Sequence, residues 1–101
     1  MVLYEVTVTA DAAVALAFEE FLRTAHVRDV LATGCFQSAR LVTMTGGIYR
    51  AAYAAATQSD LDRYLELFAP ALRNDVLARF PNGLVFSRQV WEVLEDYGHR
   101  A

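Results

Sequence analysis

Along the first residues, VLYEVTVT, apolar and polar positions alternate. Val2, Tyr4, Val6 and Val8 fall on one side and Leu3, Glu5, Thr7 and Thr9 on the other, the period of a strand with one apolar face. The period then lengthens. Asp11 stands where a helix N-cap would, and from Ala12 to about Thr24 the residues Val14, Ala17, Phe18, Phe21, Leu22 and Ala25 recur at helical spacing, with Glu19, Glu20 and Arg23 opposite them. His26 to Thr33 reads as a short separate helical turn that Gly34 ends as a C-cap. The alternating period returns over 36–45, FQSARLVTMT, and over 48–56, IYRAAYAAA, with Gly46-Gly47 between them as a hairpin turn. The alanines lower the β-propensity of the second of these runs, but the hairpin signal outweighs them. Ser59 with Asp62 resembles a capping box. Leu61, Tyr64, Leu65, Phe68, Leu72, Val76 and Phe80 then form one helical stripe, interrupted at Pro70, where a kink or restart near Ala69 is expected. Pro81-Asn82-Gly83 closes the helix, and 84–94 reads as a fourth strand.

The order β-α-β-β-α-β predicts an α+β, ferredoxin-like domain over 1–95: a four-stranded antiparallel sheet with both helices on one face, followed by a flexible tail over 96–101. Two helices leave the other sheet face uncovered. An arginine under the helices would be a costly burial. Arg40, Arg50 and Arg88 are therefore assigned to the uncovered face, which collects Glu5, Thr7, Ser38, Arg40, Arg50 and Arg88 among Val42, Met44, Phe86 and Val90. Such a face is too apolar for water and too charged for a dry core. Pairing two sheets face to face as a homodimer would resolve the conflict, closing a dimeric α+β barrel over an interface of about 1,600 Å² or more. The enclosed arginines would either hold a small anionic ligand by forked hydrogen bonds, or form ion pairs that fix dimer register.

Composition narrows the classes. At 101 residues the chain is one domain that buries roughly 60–70% of its unfolded surface. A net charge of −3 and the lack of any basic run argue against nucleic acid and against an anionic membrane surface. No apolar run approaches the ~20 residues of a membrane span. A single cysteine and an N-terminus without a secretory pattern make the cytoplasm the expected compartment. All nine basic residues are arginine, which together with the many alanines suggests a GC-rich bacterial genome.

The candidate chemistries concentrate in HVRDVLATGCFQSARLV, from His26 to Val42. Cys35 precedes a strand rather than opening a helix, so a buried hydrophobic role is favoured over a nucleophile. His26 could act as a general acid or base, but capping helical carbonyls is favoured. Two histidines and one cysteine do not make a structural zinc site. A metal held by His26 with Asp29, or a haem on His26, has no further support, and no cofactor is expected. An RNA-recognition role would need Tyr49 and Tyr53 on the open face, whereas alternation turns them to the helices. Gly46-Gly47 lacks the helix and lysine of a phosphate loop.

His26 with Asp29 to Phe36 (DVLATGCF), Ser38 to Arg40 (SAR), Asp62 to Leu65 (DRYL), Ala69 to Arg73 (APALR), Arg79-Phe80 and Ser87 to Val90 (SRQV) resemble the motifs of a bacterial family of short proteins of unknown function. The resemblance runs nearly the full length and implies a dimeric α+β barrel. It implies no reaction. Two classes of function remain open: a small-molecule site within a homodimeric barrel, with Arg40 and Arg88 orienting an anionic group, and a non-catalytic interaction or regulatory module whose sheet face serves only for dimerisation.

Overall fold

A computed structural model describes residues 1–98; residues 99–101, and with them His99 and half of the expected tail, lie outside the described residues. The elements are β1 (Val2–Ala10), α1 (Ala15–Phe21), a π turn (Leu22–His26), α2 (Val27–Ala32), β2 (Ser38–Met44), β3 (Ile48–Ala55), α3 (Gln58–Leu67), α4 (Ala69–Arg79) and β4 (Leu84–Glu92). The strands form one antiparallel sheet in the order β2-β3-β1-β4. This is the ferredoxin-like α+β arrangement that the periodicity predicts, with all helices against one face.

The register fixes which side chains share a face, because directly opposed residues of an antiparallel pair project to the same side. On the helix side Tyr4 is opposite Tyr53 and Val90, Val6 opposite Ala51 and Arg88, and Val8 opposite Tyr49 and Phe86. On the open side Glu5 is opposite Ala52 and Gln89, Thr7 opposite Arg50 and Ser87, Arg40 opposite Ala52, and Val42 opposite Arg50. Five of the six residues expected on the open face lie there. Arg88 does not: it shares the helix side with Phe86 and Val90, and Val85, Ser87, Gln89 and Trp91 take its place on the open side. The expectation assumed that helices roof all four strands. They cover the start of β4, where Leu84 and Phe86 pack against the core, but not its later part, so Arg88 and Val90 stand exposed to water on the helix side and no charge is buried.

Local departures have equally simple causes. The first helix begins at Ala15 rather than Ala12, and Asp11 starts it through its backbone: its carbonyl accepts from the Val14 and Ala15 amides, both at 3.0 Å, and its own amide donates to Gly83 at 2.8 Å. His26 to Thr33 is not a separate turn, because the π turn carries the chain from α1 into α2 without a break. At α3 the cap is Thr57, not Ser59; Thr57 is extended (φ −138°, ψ 161°) and its hydroxyl accepts from the Asp60 amide at 3.1 Å. Asp62 accepts instead from Gln58 Nε2 at 2.9 Å. The restart is where Pro70 requires it, with Phe68 between α3 and α4 and the proline in the first turn of α4. In the hairpin, Gly47 has φ 74° and its carbonyl accepts from the Ala10 amide at 2.8 Å. A Cβ there would lie 2.5 Å from the Ala10 carbonyl oxygen, so only glycine fits.

The core lies between the sheet and the helices in two aromatic groups. One gathers Tyr4, Phe36, Tyr53, Leu61 and Tyr64, with the Phe36 and Tyr64 rings 4.9 Å apart at 62°. The other gathers Val8, Phe18, Phe21, Leu22, Tyr49 and Val76, with Phe18 and Phe80 5.3 Å apart at 86°. Such edge-to-face pairs add about 0.5–1.5 kcal/mol each to the burial of their area. Cys35, 2% exposed, packs into the first group at the junction of α2 with β2.

Candidate functional site

Between the two aromatic groups, on the helix side of the sheet, lies a cavity of about 260 Å³. Val6, Val8 and Ala51 form its floor. Phe18, Leu22 and His26 close it from α1 and the π turn, and Leu72 and Val76 from α4. Arg73, Leu77 and Arg88, all exposed, stand at its mouth. The mouth lies toward the later part of β4, which the helices leave uncovered beyond Phe86, and Arg88 is solvated there for the same reason.

The few polar groups fall at separate ends. Near the mouth Arg73 Nη2 donates to the Tyr4 hydroxyl at 3.1 Å, and the Arg88 guanidinium lies over the Phe86 ring, 5.2 Å from its centroid. Tyr64 belongs to this end. Burial, reinforced by Tyr4, pushes its pKa up to about 12, while Arg73 and Arg88 act in the opposite sense. Burial also raises the pKa of Tyr53, beyond the ordinary phenol range. Both phenols are thus neutral hydrogen-bonding groups at physiological pH. At the other end His26 packs its ring 5.5 Å from that of Phe21. Its Nδ1 is buried without a hydrogen-bond partner among the described residues. Burial lowers the His26 pKa, against opposing contributions from the Asp29 and Asp75 carboxylates, so the neutral imidazole is favoured.

The open sheet face holds the remaining predicted residues in a different state. Trp91 Nε1 donates to Glu5 Oε1 at 2.8 Å, and Arg50 Nε donates to Thr7 Oγ1 at 2.9 Å. Ser38 and Arg40 are exposed along β2 beside Val42 and Met44, and Val85, 70% exposed, lies on the far strand. The structure therefore does not bring the six predicted residues together: Arg88 sits across the sheet from the other five. Arg73 is the residue that sequence reading missed. It follows Leu72 on the core-facing stripe of the second helix, and an arginine flanking such a stripe was the available signal. A second, wider groove between α1, α2 and β2 carries Glu19, Arg23 and Arg28, but Arg23 and Glu19 pair in water at 3.5 Å. Among the described residues no three His, Cys, Asp or Glu side chains gather at a point, and no helix is long and apolar enough to cross a membrane.

Solved structures share this architecture at low identity. A dimeric ferredoxin-like protein from an uncultured marine organism is similar with a TM-score of 0.75 at 9% identity, covering 98% of this chain and 100% of that one. A candidate antibiotic biosynthesis monooxygenase from Deinococcus radiodurans gives 0.70 at 17%, covering 100% of both chains. The haem degrader MhuD from Mycobacterium tuberculosis, with two haems bound in its active site, gives 0.67 at 18%, covering 97% of this chain and 100% of that one. No curated protein matches the sequence. Residues 1–94 match the model of a domain of unknown function, DUF4286, and the chain belongs to that family.

Proposed function

We propose that the protein is a small-molecule-binding homodimer whose ligand sits in the cavity of each chain, under the helices, rather than between two sheets. One observation carries this: an aromatic cavity of about 260 Å³ with two guanidinium groups at its mouth. Ligand sites are concave, mostly apolar and furnished with a few convergent polar groups, in a range of about 300–1,000 Å³ for drug-sized ligands. The volume here suits two or three fused rings and is too small to enclose a tetrapyrrole, so the haem of MhuD is not transferred to this chain. Arg73 and Arg88 select an anionic group such as a carboxylate, because guanidinium offers that geometry a fork of donors.

In this proposal the open face is the dimer interface. Glu5, Thr7 and Arg50 already satisfy one another or their neighbours within one sheet, Ser38 and Arg40 form the rim, and Val42, Met44, Val85 and Trp91 supply the apolar area that a second copy covers. A ligand between the sheets, held by Glu5, Thr7, Ser38, Arg40 and Arg50, is the alternative, and the same titration separates the two. With 2-naphthoate as probe, the expected result is saturable binding with amide shifts at Leu72, Val76 and Val6. Arg73→Ala and Arg88→Ala should each weaken binding about fivefold to tenfold, Arg40→Ala not at all. Shifts confined to β2 and β3, or none at millimolar probe, would remove the cavity assignment.

A further inference from the structure

The far end of the cavity is built differently from its mouth, and that difference specifies the ligand further. The π turn is a single five-residue turn, and its first and last residues, Leu22 and His26, both line the cavity. Turns of this kind inside α-helices are frequent at functional sites, where the extra residue can aim a side chain. Here the side chain is an imidazole among Phe18, Phe21 and Leu22. His26 lines the cavity, and its Nδ1 is buried without a partner among the described residues, so Nε2 is the nitrogen assigned to an incoming group.

Resting on the cavity assignment above, we propose that His26 is a specificity-determining residue, and that the ligand is an aromatic acid carrying a hydroxyl at the end opposite its carboxylate. The acid meets Arg73 and Arg88 at the mouth, and the hydroxyl meets the imidazole at the closed end. A hydroxyl is singled out because it both donates and accepts. It completes Nε2 whether the neutral ring carries its proton there or on Nδ1, which an amine cation or an ether oxygen cannot do. An apolar ring alone would leave that nitrogen desolvated and unpaired.

The test compares 6-hydroxy-2-naphthoate with 2-naphthoate by calorimetry on the wild-type protein and on His26→Phe and Arg88→Ala. The hydroxylated acid is expected to bind at least tenfold more tightly to the wild type. In His26→Phe that ratio should fall to about one, while 2-naphthoate keeps its affinity within about threefold. Arg88→Ala should weaken both acids and leave the ratio intact. Should His26→Phe not fold, the ¹⁵N resonances of the wild-type imidazole give the same answer, moving with the hydroxylated acid and not with its parent. Two acids bound equally well by the wild type, or a preference that survives His26→Phe, overturns the role of His26 and leaves the cavity standing. Failure of both acids to bind overturns the cavity assignment as well.

Discussion

The two faces of the sheet carry similar residue types and treat them in opposite ways. On the open face, charged and aromatic groups complete one another within the chain: Trp91 with Glu5, Arg50 with Thr7. On the helix face, aromatic packing is dense; Arg73 pairs with Tyr4 near the cavity mouth, while at the far end one imidazole nitrogen is buried without a partner among the described residues. A surface whose polar groups are already satisfied can be covered by a second copy at little desolvation cost. A cavity whose polar groups stand at separate ends leaves room for a molecule that reaches both. On the proposed reading, the interface and the binding site differ in how their polar groups are arranged, more than in composition.

The comparison breaks most severely at Phe18. This side chain, 1% exposed, anchors one wall of the cavity, and Phe18→Ala should cost about 3–5 kcal/mol, measurable as a fall of well over 10 °C in melting temperature. A single change on the open face should do nothing comparable to the monomer.

That face is probed next by the double variant Val42→Glu with Val85→Glu, which sets two carboxylates into the apolar area without touching the core. Dimerisation is expected to weaken by at least about 100-fold, read by light scattering over a dilution series, with the monomer melting within a few degrees of the wild type. A wild-type protein that is monomeric at tens of micromolar would end the assignment of this face to a second copy.

The smallest effect sharpens the comparison through pH. His26 titrates lower in the folded chain than its usual 6.5, so between its folded value and 6.5 the unfolded chain binds more protons. Stability is then fully present above about pH 6.5 and is lost as pH falls through the folded value. The groups facing the ring set the size of that slope: Asp29 on α2 and Asp75 on α4 oppose the shift, and Arg79 lies over the adjoining Phe21 ring at 5.0 Å. In His26→Phe the slope of melting temperature in this window should flatten. An unchanged slope would mean that another group titrates there.

Much of this was legible in the sequence. Alternation in VLYEVTVT orients β1 correctly, and because β3 is registered to it, Tyr49 and Tyr53 follow to the helix side. Pro70 and Gly46-Gly47 mark their breaks because each removes or requires a backbone state independent of tertiary context. The error at Arg88 has a different origin. Phe86, Arg88 and Val90 share one row in β4, and a lone arginine was weighed as a burial cost when the lateral reach of the helices, a tertiary quantity, decides whether that row is buried. The cavity was likewise hidden. Its wall residues Tyr4, Phe18, Leu22, Tyr64 and Val76 read as ordinary core, and nothing in their spacing tells packed atoms from a void. His26 was noticed but placed at a helix end, since a π turn has no strong sequence signature.

That turn also acts as a phase setter. An α-helix advances about 100° per residue, so one extra residue between Phe21 and Val27 rotates everything downstream by that angle relative to α1. Phe18 and Phe21 pack in one aromatic group, while Val30, Cys35 and Phe36 pack in the other. The surplus residue thus lets one continuous helical segment serve two cores that a regular helix would present in different directions. Loss of a residue from 23–25, none of which lines the cavity, would therefore be felt also as misdirection of Val30, at a distance from the cavity that the turn lines.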